Sequence, residues 1–255
     1  MFWGEKPDRR ENQDMHINLL FDLDQTLLDF HASERKALEL TALNYGLKYS
    51  DRSYQLFKEC NKSLWLELEK GTISRAELFR KRFAYFFEIS GAAEPYPDLV
   101  KVNDEFIYIM SQNGVLMDGA LDFVKKVRRE IRDSRIYIAS NGATVNAEGR
   151  IRSTGLGEYI EKLFISERMG AAKPSAEFFD ICLEDIAEPR ETCIMIGDSL
   201  TSDMLGAKNA GLRSVWFMPT GDIEASKREY EIDHCASSFD ELLVILKDWA
   251  ETIRE

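Results

Sequence analysis

Two aspartates lie two residues apart in Phe21-Asp22-Leu23-Asp24-Gln25-Thr26, directly after the apolar run Ile17 to Phe21. Two carboxylates so close can share one metal ion or one phosphoryl group, and like charges at that spacing are costly unless a cation balances them. A second acidic cluster, Gly197-Asp198-Ser199 with Asp203 following, comes after the run Thr192 to Ile196. Asp22, Asp24 and Asp198 together offer hard oxygen ligands of the kind that suits Mg²⁺. Ser140-Asn141-Gly142 ends another apolar run and presents a hydroxyl and backbone N–H groups suited to phosphate oxygens. Lys173, just before Pro174, can neutralise a phosphate as a point charge. Each feature also has a plain reading: an acidic turn, a helix cap, a Ser-Asn-Gly turn, a solvated surface lysine. Their order carries more than any one of them. Acid pair, serine, lysine and acid cluster each occupy a polar loop after a strand-like run.

Loops that bind ligands lie beyond the carboxyl ends of strands in doubly wound sheets. Short apolar runs at Ile17 to Phe21, Arg135 to Ala139, Leu163 to Ile165, Thr192 to Ile196 and Ser214 to Phe217 read as strands buried on both faces. Helical patterns at Ala147 to Ser153, Ala176 to Asp185, Ser202 to Ala210 and Asp240 to Ala250 alternate with them. The alternation predicts an α/β fold, a doubly wound and mainly parallel, Rossmann-like sheet. Between Ser33 and Gln112 no strand pattern occurs. Four helical patterns fill that stretch, the third opened by the capping box Ser74-Arg-Ala-Glu77. We therefore expect a core over 16–30 and 114–255, an inserted all-helical cap over 31–113, and a flexible leader over 1–15.

Composition narrows the classes. The 255 residues include 33 basic and 45 acidic side chains, a net charge of −12. Such a surface repels a polyphosphate backbone and argues against a nucleic-acid polymer as partner. No apolar run approaches the ~20 residues of a membrane span. The first fifteen residues are highly charged and lack the apolar stretch of a secretory signal. The cysteines Cys60, Cys182, Cys193 and Cys235 are scattered, which predicts free thiols in a reducing compartment. The expectation is a cytoplasmic protein, a monomer or small homo-oligomer, acting on a small phosphorylated metabolite held in a local positive pocket.

Asp22-x-Asp24-x-Thr26, Ser140, Lys173-Pro174 and Gly197-Asp198-(x)4-Asp203 resemble the four ordered motifs of the haloacid-dehalogenase-like hydrolases, over nearly the whole chain. The longer strings Leu20 to Phe30, Ser140-Asn-Gly142 and Ile196 to Asp203, with Trp65, Glu69 to Ile73 and Arg82-Phe83, resemble the bacterial pyrimidine-nucleotide 5′-nucleotidases. The resemblance implies a magnesium-dependent phosphatase. Asp22 would be the nucleophile and Asp24 the general acid and base. The Asp22 and Asp198 carboxylates and the Asp24 backbone carbonyl would hold the metal. Ser140, the Asn141 backbone and Lys173 would hold the phosphoryl oxygens. Asp203 would orient metal waters or Lys173, and Thr26 would fix the loop by hydrogen bonding. The cap would close over the site and set specificity, with Phe30, His31, Trp65, Phe79 and Phe83 as candidates to face the leaving group. A sugar phosphomutase, or a non-catalytic phosphate-binding module of the same fold, is the alternative reading.

Overall fold

The computed structural model describes residues 16–69 and 71–254; the expected leader over 1–15 lies outside the described residues. In chain order the elements are β1 (Ile17–Phe21), α1 (Phe30–Asn44), α2 (Asp51–Glu69), α3 (Arg75–Ile89), α4 (Leu99–Gln112), α5 (Ala120–Glu130), β2 (Ser134–Ser140), α6 (Thr144–Thr154), β3 (Lys162–Ile165), α7 (Ser166–Met169), α8 (Ala176–Ile186), β4 (Cys193–Gly197), a π-helical turn (Leu200–Met204), α9 (Leu205–Ala210), β5 (Arg213–Phe217), α10 (Ile223–Tyr230), β6 (His234–Ala236) and α11 (Phe239–Arg254). The six strands form one parallel sheet in the order β3-β2-β1-β4-β5-β6. β1 and β4 lie at its centre and are buried along their whole length, as strands covered on both faces must be.

The five strand-like runs of the sequence all became strands. β6 was not anticipated, because His234-Cys-Ala236 begins with an exposed histidine and is not an apolar run. Helix α5 was not anticipated either, although its buried Ala120, Phe123, Val124 and Val127 follow helical spacing.

By compactness the chain divides into two units. Of the described residues, one comprises 16–26, 119–141 and 159–254; the other lies within 27–118 and 142–158. The helical unit thus takes in α6, outside the 31–113 span drawn from the sequence. The reason is a close approach of backbones: a Cβ on Gly149 would lie 2.5 Å from Ser111 Cβ. Only glycine lets α6 press against α4 that tightly.

The helical unit has an aromatic core of Phe57, Phe83, Phe86, Phe87 and Phe106, with Leu38, Val102 and Met110 around it. Phe83 is fully buried there, which corrects its candidacy as a residue facing a leaving group. Trp65 is 38% exposed. A polar chain also runs through the interior. Tyr54 OH donates to Glu34 Oε2 at 3.4 Å, Asn61 Nδ2 donates to Glu34 Oε1 at 3.2 Å, and Arg82 Nη1 donates to Asn61 Oδ1 at 3.2 Å. Arg82 Nη2 donates to Asn103 Oδ1. The members come from all four helices α1 to α4, and Glu34 and Arg82 are almost wholly buried.

Candidate active site

Asp22 is the first residue past β1, Ser140 the last of β2, and Asp198 the first past β4. Because β1 pairs with β2 on one side and β4 on the other, these three residues share one end of adjacent strands. Lys173 arrives from the loop before α8. Its ammonium donates to Asp22 Oδ1 at 2.6 Å, to Asp203 Oδ1 at 2.6 Å and to the Ala139 carbonyl at 2.5 Å. A lysine has three donors, so all are used, and Lys173 is 4% exposed. The lysine that reads as an ordinary surface residue in isolation is the buried counterion of the cluster.

Asp203 serves two partners. Oδ1 accepts from Lys173, and Oδ2 accepts from the Ser199 backbone N–H at 3.0 Å. Its side chain lies directly against Gly197, where a Cβ would stand 2.2 Å from Asp203 Oδ2. Glycine at 197 is therefore a steric requirement of the site.

Asn141 has a role that sequence reading did not assign. Its Nδ2 donates to the Lys173 carbonyl at 2.8 Å and its Oδ1 accepts from the Lys173 N–H at 2.9 Å. The two bonds hold the lysine's backbone from the β2 loop. No signal in the sequence distinguishes this use of an asparagine from an ordinary turn. Ser140 is buried at the end of β2. Asp24 is half-buried on the turn after Asp22 and is followed by Gln25 at φ 59, a left-handed residue that turns the chain sharply. The expected loop-fixing hydrogen bond of Thr26 is corrected: its hydroxyl is buried and has no partner among the described residues.

Carboxylate oxygens of Asp22, Asp198 and Asp203 lie within 4.8 Å of one another. Burial pushes the Asp22 carboxyl up to about 8; the Lys173 ammonium pulls it down, while Asp203 and Asp24 push it further up. Burial and then Asp203 push Asp198 up to about 6. Lys173 is itself shifted upward: burial opposes its charge, and Asp203 and Asp22 more than compensate. Several carboxyls thus crowd one ammonium, leaving an excess of negative charge at a strand end. A hard divalent cation offsets such an excess, and the donors are all oxygens, as Mg²⁺ requires. The residues present fit that metal.

Known proteins are similar to this chain over most of its length. The pyrimidine 5′-nucleotidase PynA of Streptococcus pneumoniae is 36% identical over 202 residues, covering 79% of this chain and 83% of that one. The pyrimidine 5′-nucleotidase YjjG of Escherichia coli is 33% identical over 199 residues, covering 78% and 84%. The HAD-hydrolase YfnB of Bacillus subtilis, whose crystal structure was determined bound to magnesium, superposes with a TM-score of 0.77 at 29% identity, over 91% of this chain and 99% of that one. Residues 18–211 match the family profile of the haloacid dehalogenase-like hydrolases. With its strand-end acids and buried lysine inside that matched span, the chain belongs to the haloacid dehalogenase-like hydrolase family.

Proposed function

We propose that the protein is a phosphatase that hydrolyses small phosphomonoesters, with pyrimidine nucleoside 5′-monophosphates as the favoured substrates, through a covalent intermediate on Asp22. The observation that carries the reading is the Asp22–Lys173–Asp203 cluster at the end of the central strand, with Asp24 on the next turn. The substrate class rests on similarity to PynA and YjjG.

The Asp22 and Asp198 carboxylates and the Asp24 backbone carbonyl would hold Mg²⁺, which when bound supplies positive charge against the phosphate oxygens. Lys173 favours the charged form of Asp22 against the effect of burial and aims it, since its ammonium is fixed by Asp203, Ala139 and, through the backbone, Asn141. An Asp22 oxygen attacks phosphorus. The bond from phosphorus to the ester oxygen breaks, and its electron pair leaves with that oxygen. Asp24 delivers a proton to the departing alkoxide, then removes one from the water that attacks the phosphoryl-aspartate. Inorganic phosphate leaves and Asp22 is restored. Ser140 and the Asn141 backbone lie at the adjoining strand end and hold phosphoryl oxygens.

Phosphate release is measured from nucleoside monophosphates, sugar phosphates and an aryl phosphate, with and without Mg²⁺, alongside Asp22→Asn. Magnesium-dependent turnover, highest on pyrimidine monophosphates and absent in the variant, is the expected result. A preference for sugar phosphates would remove the nucleotide assignment and leave the mechanism. No turnover on any ester by folded protein would sink both.

A further inference from the structure

Asp198 stands one residue beyond β4, where the sheet ladder no longer holds the backbone. The direction of its carboxylate depends on the orientation of the peptide unit that follows it. That unit, Asp198–Ser199, is gripped at both ends. The Ser199 N–H donates to Asp203 Oδ2 at 3.0 Å. The Asp198 carbonyl accepts from the indole Nε1–H of Trp216 at 2.9 Å. Trp216 lies on β5 directly across from Gly197 in the parallel register, so its side chain is delivered to the turn by the sheet itself. It is 1% exposed and wedged against Met204 and Ile232, so it cannot follow a moving loop.

From this geometry we infer that Trp216 is a positioning residue, whose indole N–H fixes the Asp198–Ser199 peptide plane and thereby aims the Asp198 carboxylate at the metal. The inference rests on the reading of Asp198 as a magnesium ligand. Asp203 alone fixes one edge of the peptide; with Trp216 on the other edge, rotation of the plane breaks at least one hydrogen bond in either direction. The bland account is that a buried indole N–H needs some acceptor and the Asp198 carbonyl happens to be near. The two accounts differ in what happens to metal affinity.

Magnesium binding to metal-free protein is measured by calorimetric titration for the wild type, Trp216→Phe and Asp198→Asn, with thermal unfolding recorded for each. A fourth protein carries 3-benzothienylalanine at position 216, which keeps the tryptophan shape and replaces N–H by sulfur, so that loss of packing is separated from loss of the hydrogen bond. Partners that orient metal ligands typically contribute tenfold or more in affinity. The expected result is a Kd raised on the order of tenfold in both position-216 variants, with a larger rise in Asp198→Asn. A lowered melting temperature with unchanged Kd at position 216, beside a raised Kd in Asp198→Asn, would make Trp216 a core residue only and overturn the inference. An unchanged Kd in Asp198→Asn would overturn the metal reading and the positioning role with it.

Discussion

Two clusters of buried charge in this molecule are built in opposite ways. At the strand ends of the core, Asp22, Asp198 and Asp203 crowd a single ammonium, Lys173. Inside the helical unit, one carboxylate, Glu34, faces one guanidinium, Arg82, through Asn61, with Tyr54 and Asn103 closing the two ends. The second network is balanced in charge and wrapped by aromatic faces: the Arg82 guanidinium lies 5.2 Å from the Phe106 ring centre and 5.3 Å from that of Phe83. The first is unbalanced and sits where polar loops leave the sheet. A balanced buried pair can specify how helices align without needing a ligand. An unbalanced one is incomplete until something cationic or reactive joins it.

The sharpest test of that contrast is at the nucleophile. Asp22→Asn should lower kcat by ~10⁴-fold or more, because the covalent route is lost while the shape is kept. A steady-state assay that found turnover within tenfold of wild type would remove Asp22 from the chemistry. Lys173→Met should also destabilise the metal-free protein by about 3–5 kcal/mol in urea titrations, since Asp22 and Asp203 lose the ammonium that pairs them. Added Mg²⁺ should recover part of that loss.

In the helical unit the effect should fall on stability instead. Arg82→Met leaves Glu34 buried without its counterion and should cost about 3 kcal/mol, whereas a double change with Glu34→Met should cost clearly less than the sum of the singles. Additive costs in that cycle would dissolve the pair and, with it, the comparison.

A smaller effect is expected with pH. Burial, the largest influence, raises the Glu34 carboxyl above its ordinary value of 4.5, against the pull of Arg82 and the Tyr54 hydrogen bond. An acid raised on folding binds its proton more tightly in the folded state. Its contribution to stability is therefore full below pH 4.5 and is lost as pH rises through the folded value. Comparing unfolding of wild type and Glu34→Gln across that range isolates this slope; a slope of the reverse sign would contradict the burial argument.

The smallest effect lies outside both networks. Ser74 and Glu77 form a reciprocal capping box at the start of α3, and Ser74→Ala should cost about 1 kcal/mol, or roughly 2–4 °C in melting temperature. A cost there as large as that of Arg82→Met would mean that the buried pair is no more consequential than an exposed cap.

The sequence by itself determined most of the elements and singled out the candidate residues of the site. Apolar runs of three to five residues followed by polar loops are strands in a covered parallel sheet, and local spacing is enough to read them. Asp22, Asp24, Ser140, Lys173 and Asp198 stood out by type and order. Glu34 was legible in principle, since it shares helical spacing with the buried Ala37, Leu38 and Thr41. Only the tertiary structure decided who meets whom. Lys173 and Asp22 are 151 residues apart, and nothing local says that this lysine is buried or that its three donors are already taken. The bracing of Lys173 by Asn141, the hold of Trp216 on the Asp198 carbonyl and the solitary buried hydroxyl of Thr26 belong to the same class. Each depends on strand register and close packing between distant segments, and hydrophobic periodicity specifies which face a residue takes without specifying its partner across the sheet.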